Sequence, residues 1–532
     1  MASIISAVAF VPPGHAAAFP SKYNLSDDEY ARIQGLSALQ LTEAKQALTA
    51  AQSGEPVEDD GDEAFEDVEE SDKAEEDDEM AKYKLDEYDD EPEGGETMGI
   101  FNNIKGLAYH AHGEADPYIT LANAPGNDEE DEDDREDLQI LPTDNIILAA
   151  KTEDDVSHLE VYVYEDDSSN LYVHHDILLP SFPLCLEWIN YANPEQGGNR
   201  VAIGTFEPDI EIWDLDVLDS LYPVQILGAG SNPTQKRRKK KNDRHHVDAV
   251  LALSANPNAR NLLLSASADE TLKLWDLASG TCAKSYSHHT DKVSAVCWNP
   301  IEATVLASGG YDHRTILSDA RMPEQITASW DVGSDVEGLA WDPHQSHLLY
   351  TATDAGMLIC HDTRQVKKSA KASLWRIQAH DGPLSAFTVN RAVPGMIATG
   401  GSEDKRIKLW TTADGKPNML TSRDFDVGKV FSLGFLPASN GGGSMGLVAG
   451  GSAGVVRVWD TATNAAVRKA YASHASIAKA AEGDRTVAIA DDEDEVSEDD
   501  LGEEDAAMVS SDDDDKALEK NADYRGDVMQ DD

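Results

Sequence analysis

Residues 246–276 read HVDAVLALSANPNARNLLLSASADETLKLWD. Short apolar runs are separated by Asn-Pro-Asn and Ala-Asp-Glu, and the last run alternates before closing on Trp-Asp. Alternation with a period of two puts apolar side chains on one face, which predicts half-buried strands joined by tight turns. The closing pattern returns along the chain. It is clearest at Trp213 in IEIWDL, Trp275 in LKLWDL, Trp410 in IKLWTT and Trp459 in VRVWDT. Weaker copies are TILSDAR, with Ser318 in the Trp place, and LICHDTR, with His361 there.

The steps between these six positions are 62, 43, 43, 49 and 49 residues. The first step contains a polar, basic insert at 229–244, and removing those 16 residues leaves 46. A second series runs in phase: Trp188, Ala255, Trp298, Trp341, Val389 and Phe435, each five residues after an apolar residue that opens a strand. From about 138 to 475 the chain is all-β in character, and a repeat of this period is a structural unit that buries its faces only against its neighbours.

Repeats of 40–50 residues closed by Trp-Asp resemble the WD40 family. The resemblance implies a β-propeller of four-stranded blades. The six units cover 183–475, and NIILAAKTEDDVSHLEVYVYEDDSSNLYVHHDIL upstream supplies a seventh with three strands. YITL at 118–121 is a candidate for the strand that closes the ring. In the family, the strand-closing Trp joins a hydrogen-bonded set of His, Ser or Thr, Asp and Trp. The third unit has all four as His246, Ser265, Asp269 and Trp275. The fourth has His289, Ser308 and Asp312 but Ser318 for Trp. The sixth has His380, Asp404 and Trp410, with no hydroxyl at the matching offset, and the seventh has Gly454 for Asp.

These polar residues recur once per unit, whereas an active site occurs once, so they are read as structural and not as a catalytic set. No Gly-x-Ser-x-Gly elbow, phosphate-cradling Gly loop or paired His-Glu metal motif is present in the sequence. The pairs His174–His175, His245–His246 and His288–His289 fall where blade loops begin and are not read as metal sites. The sequence predicts no enzyme activity, cofactor, metal or small-molecule substrate.

Charge is distributed unevenly. The chain has 532 residues, 100 of them acidic against 43 Lys or Arg, for a net charge of −57. Residues 55–96 hold 23 acids, 128–137 hold 9 and 491–532 hold 20. With seven cations among them these stretches carry −45, leaving about −12 for the rest. That excludes a surface basic throughout, so any contact with nucleic acid is local. The acidic stretches have too few apolar side chains to offset chain entropy, which predicts disordered polyanions suited to solubilisation or to holding basic partners. Ser497, Ser510 and Ser511 precede acids and resemble sites of acid-directed kinases.

One basic run stands against this background: Lys236, Arg237, Arg238, Lys239, Lys240 and Lys241, followed by Arg244. It suits a nuclear import signal or a contact to RNA phosphates. At the other end of the chain, Met1 to Phe19 is apolar but lacks a basic leader and is broken by Pro12, Pro13, Gly14 and His15. It is read as a docking segment and not as a signal peptide. Ser26 and Glu29 form a capping box opening a helix over 26–52, with Tyr30, Ile33 and Leu36 on one face, continued by Leu41, Ala44 and Leu48. Domain limits follow: a docking segment at 1–53, an acidic linker at 54–137, the propeller at 138–475 and an acidic tail at 476–532. Cys185, Cys282, Cys297 and Cys360 lie far apart, which predicts free thiols in a reducing compartment. No apolar run approaches the roughly 18 residues needed to cross a bilayer, so no membrane association is expected.

Parts outside the repeats also carry a resemblance. AFVPPGHAAAFPSKYNLSDDEYARI, DPYITL, EDLQILPTDNIILAA and LYVHHDILLPSFPLCLEWINY resemble the periodic tryptophan protein 1 branch of the WD40 family. The resemblance implies a nucleolar protein of ribosomal RNA processing and large-subunit assembly. Its expected partners are assembly factors, ribosomal proteins and pre-ribosomal RNA, with ribosomal DNA chromatin also suggested. Two rival readings stay open at this level: a histone-binding chromatin protein, and a substrate receptor of a cullin-type ligase. The second rests on SDAR and HDTR, with Arg321 and Arg364.

Overall fold

A computed structural model describes residues 3–23, 138–166, 168–193, 197–228, 242–365, 373–437, 445–472 and 485–488. All belong to one compact unit, Met1–Ile489. Seven four-stranded antiparallel sheets form a propeller. The third blade shows the pattern, with strands Val250–Ala255, Leu262–Ser267, Leu272–Asp276 and Thr281–Tyr286 from the inside outwards. The apolar residues that open units in the sequence begin inner strands, and Ala255, Trp298, Trp341, Val389 and Phe435 end them.

Each closing Trp packs back onto the blade before it. Trp275 lies with Ile189, Ala202, Ile210 and Ile212 of blade 2, and Trp410 lies with Leu348, Tyr350 and Leu358 of blade 5. The apolar core is therefore a ring of interfaces, with each indole displacing water from the gap between two sheets. Every inner strand also has a bulge just inside its start, at Ile5/Ala7, Pro183/Cys185, Val250/Ala252, Val293/Ala295, Val336/Gly338, Leu384/Ala386 and Val430/Ser432. A bulge re-aims one side chain. Where that residue is Ser6, Ser294 or Ser385, its hydroxyl donates to the carbonyl of Pro183, Val336 or Val430, which opens the next blade's inner strand.

The first blade differs from the sequence reading. Its inner strand is Ser3–Val11, paired antiparallel with Asn145–Glu153, and its outer strands are Val156–Glu165 and Asn170–Leu179. The N-terminal stretch expected to be a docking segment is thus part of the ring. The residues between Val11 and Asn145 are an insertion within blade 1, not an extension before it. The reason is packing: Ile5, Ala7, Ala9 and Val11 alternate into the interior, and the ring has a vacant inner place only there. YITL lies outside the described residues, and the inner place is filled without it. At the other end the last blade takes its outer strand, Thr486–Ala488, from beyond the expected limit at 475.

The ring closes where blades 1 and 7 meet. Ile5, Ile147, Tyr162 and Tyr164 of blade 1 pack with Leu436, Val448, Val456 and Val458 of blade 7. The Val8 amide donates to Ser432 Oγ at 3.0 Å. Small residues permit this contact, since a Cβ on Gly434 would collide with the Phe10 ring. From Val11 the chain turns under the ring, where Ser21–Lys22 adds in parallel to Val217–Leu218 of blade 2.

Candidate functional site

In blade 3 the recurrent polar residues make one connected chain. Trp275 Nε1 donates to Ser265 Oγ at 2.8 Å, and Ser265 Oγ lies 2.6 Å from His246 Nε2. His246 Nδ1 lies 2.9 Å from Asp269 Oδ2. Burial pushes the His246 imidazole below its ordinary range, against the pull of Asp269. Burial opposes the Asp269 carboxylate too, but the bonds from His246 and Thr271 outweigh it and hold that group well below the usual carboxyl range. The consistent proton order is a neutral His246 that donates from Nδ1 to ionised Asp269 and accepts the Ser265 proton at Nε2. All donors are used, and Ser265 and His246 are fully buried. A substrate has no route to this hydroxyl. The set pins the strand, the loop entering the blade and the turn that follows.

Blade 6 repeats the chain through a residue the spacing argument missed. Trp410 Nε1 donates to Thr399 Oγ1 at 2.9 Å, Thr399 Oγ1 lies 2.9 Å from His380 Nε2, and His380 Nδ1 lies 2.7 Å from Asp404. The turn here is one residue longer, so counting back from Trp410 lands on Gly400. Counting forward from the histidine finds the hydroxyl, because Thr399 follows His380 by the same 19 positions that separate Ser265 from His246. In blade 4, His289 bonds Asp312 at 3.0 Å and Ser308 at 2.9 Å, while Ser318 Oγ turns to His288 at 3.3 Å. At the next interface, between blades 4 and 5, His361 stands in the Trp place, and Trp330 of blade 4's outer strand lies with its ring 5.0 Å from His361, packed with Leu317, Trp341 and Leu349. Gly454 sits in the turn of blade 7 at φ +70°, a backbone state that disfavours side chains, and a Cβ there would strike Ser3.

The remaining tryptophans are also built in. Trp213 donates to Glu211 at 3.0 Å, Trp188 to Asn199 at 3.0 Å and Trp298 to the Ser254 carbonyl at 3.2 Å. Trp341 lies in the cluster with Trp330, and Trp459 meets Phe425 edge-on with Arg423 over its face. His174 and His175 bond each other through Nδ1 at 2.8 Å, and burial together with His174 pushes His175 down to about 4. No group of metal-ligating side chains occurs among the described residues. The four cysteines are free, and burial pushes the Cys185 thiol up to about 12.

The surface loops are what the tetrads hold in place. Lys236 to Lys241 lie outside the described residues, but their insertion is fixed at both ends, between Gly228 and Asn242. Asn242 Oδ1 accepts from the Arg244 and His245 amides at 2.9 Å, and its carbonyl accepts from Lys273 Nζ at 2.6 Å. Lys273 is fully buried, and its part in anchoring the loop was not visible in the sequence. Asn242, the first described residue after the insertion, thus lies at the end of the ring where His246 and the other tetrad histidines lie. Arg321 and Arg364 lie at the other end, each folded back on the acid two residues before it, Asp319 and Asp362. Ser497, Ser510, Ser511 and the 26–52 helix fall outside the described residues. No described helix is long and apolar enough to cross a membrane.

Seven four-stranded blades, two of them with a complete chain of Trp, Ser or Thr, His and Asp, define a WD40 β-propeller. A family model described as WD domain, G-beta repeat matches residues 238–276 and 280–317, the third and fourth blades. An uncharacterised WD repeat-containing protein of Schizosaccharomyces pombe is 51% identical over 488 residues, covering 88% of this chain and 91% of its own. Periodic tryptophan protein 1 of Saccharomyces cerevisiae is 36% identical, covering 88% and 90%. The periodic tryptophan protein 1 homolog of Drosophila melanogaster is 32% identical, covering 80% and 88%. The chain belongs to the periodic tryptophan protein 1 family.

Proposed function

We propose that this protein is a non-enzymatic nucleolar scaffold of ribosome biogenesis, acting in ribosomal RNA processing and large-subunit assembly. The observation that carries the reading is kinship with periodic tryptophan protein 1 over nine-tenths of that protein's length, beyond the repeats shared by all propellers. The geometry supports it. The recurrent Ser, His and Asp side chains are consumed in holding blades, and the loops they position are the surface available for partners. In this reading the ring presents those loops to assembly factors and ribosomal proteins. The insert with Lys236, Arg237, Arg238, Lys239, Lys240 and Lys241 contacts pre-ribosomal RNA phosphates or directs nuclear import.

Purification of tagged chain should recover precursor ribosomal RNA together with large-subunit assembly factors, and recovery of neither would overturn the proposal. Replacing the six cations by alanine separates the two uses of the insert. An RNA contact predicts weaker crosslinking and a salt slope reduced by about 4, whereas an import signal predicts mislocalisation with RNA affinity intact. The charge of 491–532 favours one further reading, capture of basic proteins, histones included. Deleting those residues and comparing histone with ribosomal-protein affinity in moderate salt distinguishes the partners.

A further inference from the structure

Three residues after each strand-closing position, blades 3 to 7 carry Ala278, Arg321, Arg364, Ala413 and Ala462, whereas blade 2 carries Asp216. Nothing in the repeat calls for an acid there. Asp216 is half-buried on the underside of the ring, and its bonds run to the N-terminal segment. Its Oδ1 accepts the Ala17 amide at 2.9 Å and the Asn199 side-chain amide at 2.8 Å. Its carbonyl accepts the Ser21 amide at 2.9 Å. Asn199 is buried and accepts from Trp188 Nε1 at 3.0 Å, and the Trp188 ring meets His15 edge-on at 5.0 Å. The circuit of contacts thus begins and ends on residues 15–21.

The same segment is tied to the far end of the long insertion. The Ile140 amide donates to the Ala18 carbonyl at 3.0 Å, and Ile140 is buried in the apolar cluster that joins blades 1 and 2. Five residues later the chain enters Asn145–Glu153, the strand paired with Ser3–Val11. Along the chain, 133 residues separate Val11 from Asn145. Across the Ala18–Ile140 bond the path is only 12–18 and 140–144, 12 residues in all. Effective concentration falls as about the −3/2 power of linker length, so the tie presents the strand to its place at roughly 40-fold higher concentration than the whole insertion would.

We propose that Asp216 is the keystone of a clasp that locks Ser3–Val11 into its own ring and isolates the ring from the insertion. The two acidic stretches within 24–137 are then bound or cut without opening the propeller, because the mechanical link between the strand and blade 1 runs through the clasp and not through those residues.

The test replaces residues 74–80 by the recognition sequence of a site-specific protease and cuts the full chain there. The cut chain is mixed with an excess of isotopically labelled N-terminal fragment, and exchange is followed by mass after gel filtration in moderate salt. The native cut chain should keep its fragment through the column. Exchange should be at least about tenfold faster in Asp216→Ala, which loses both carboxylate bonds, and faster again when Ser21→Pro removes a further amide donor. An unchanged near-ultraviolet circular dichroism spectrum of the uncut variants will show that their rings have formed. Loss of the fragment from the native cut chain would mean that the covalent insertion holds the strand, and would overturn the proposal. Equal exchange in native and Asp216→Ala chains would also overturn it, leaving retention to the burial of Ile5 and Val11 alone.

Discussion

Replacing Ile5 by alanine should destabilise the whole ring, although residue 5 lies 146 positions before its strand partner Lys151. Ile5 is fully buried at the seam between blades 1 and 7, among Ile147, Tyr162, Leu436, Val448 and Val458. The change removes three carbons, about 2.4 kcal/mol at roughly 0.8 kcal/mol per buried methylene. Gly450 cannot fill the gap, and its backbone already lies where a Cβ would touch Ile5. With the cavity left behind, the cost comes to about 3–4 kcal/mol. Ile4 points the other way on the same strand and is only half-buried, so Ile4→Ala should cost less than about 1 kcal/mol. Urea unfolding of the full chain, followed by tryptophan fluorescence, measures both. If Ile5→Ala leaves the midpoint unchanged, or if the two variants match, the segment is an accessory arm and the account of ring closure is wrong.

Three other outcomes are expected. Ser265→Ala and Thr399→Val each leave a buried indole N–H and an imidazole nitrogen without their shared partner, costing about 1–3 kcal/mol each, whereas Ser308→Ala strands only His289 and should cost less in the same unfolding assay. Gly434→Ala drives a methyl into Phe10 and should cost about 1–3 kcal/mol, with much of the loss recovered when Phe10→Leu is added; an additive double mutant would contradict the seam contact. Burial pushes the Glu187 carboxyl up to about 7, against the bond it accepts from the Ala255 amide and the charge of Arg391. The folded chain then holds a proton the unfolded chain releases, so this group's contribution is full below about pH 4.5 and lost as pH rises through 7. Glu187→Gln should be more stable than the native chain at pH 8 by about 1–2 kcal/mol and nearly equal to it at pH 4.5, as read from thermal melts at the two values.

Much of the site was legible because WD repeats write their hydrogen bonds at fixed offsets. His246, Ser265, Asp269 and Trp275 stand at positions set by strand lengths, so one intact copy predicts the bonding of the next. Thr399 shows where that fails: a single added residue in a hairpin moves the count from the Trp while leaving the count from the histidine intact. Trp330 was missed because it sits in an outer strand and fills a gap that only becomes apparent once His361 is seen to stand in the Trp place of the next blade.

The sequence by itself determined the blades. Period-two alternation, turn residues and the Trp spacing are local, and each predicts a strand or turn from its own neighbours. Only the tertiary structure decided how the circle is completed. Ser3–Val11 alternates like any strand, but its partners lie across an insertion of more than 130 residues, and pattern alone does not say which distant edge it joins. That choice belongs to the ring as a whole: six blades and three-quarters of a seventh leave one inner place open, and burying Ile5 and Val11 there satisfies both the strand and the gap.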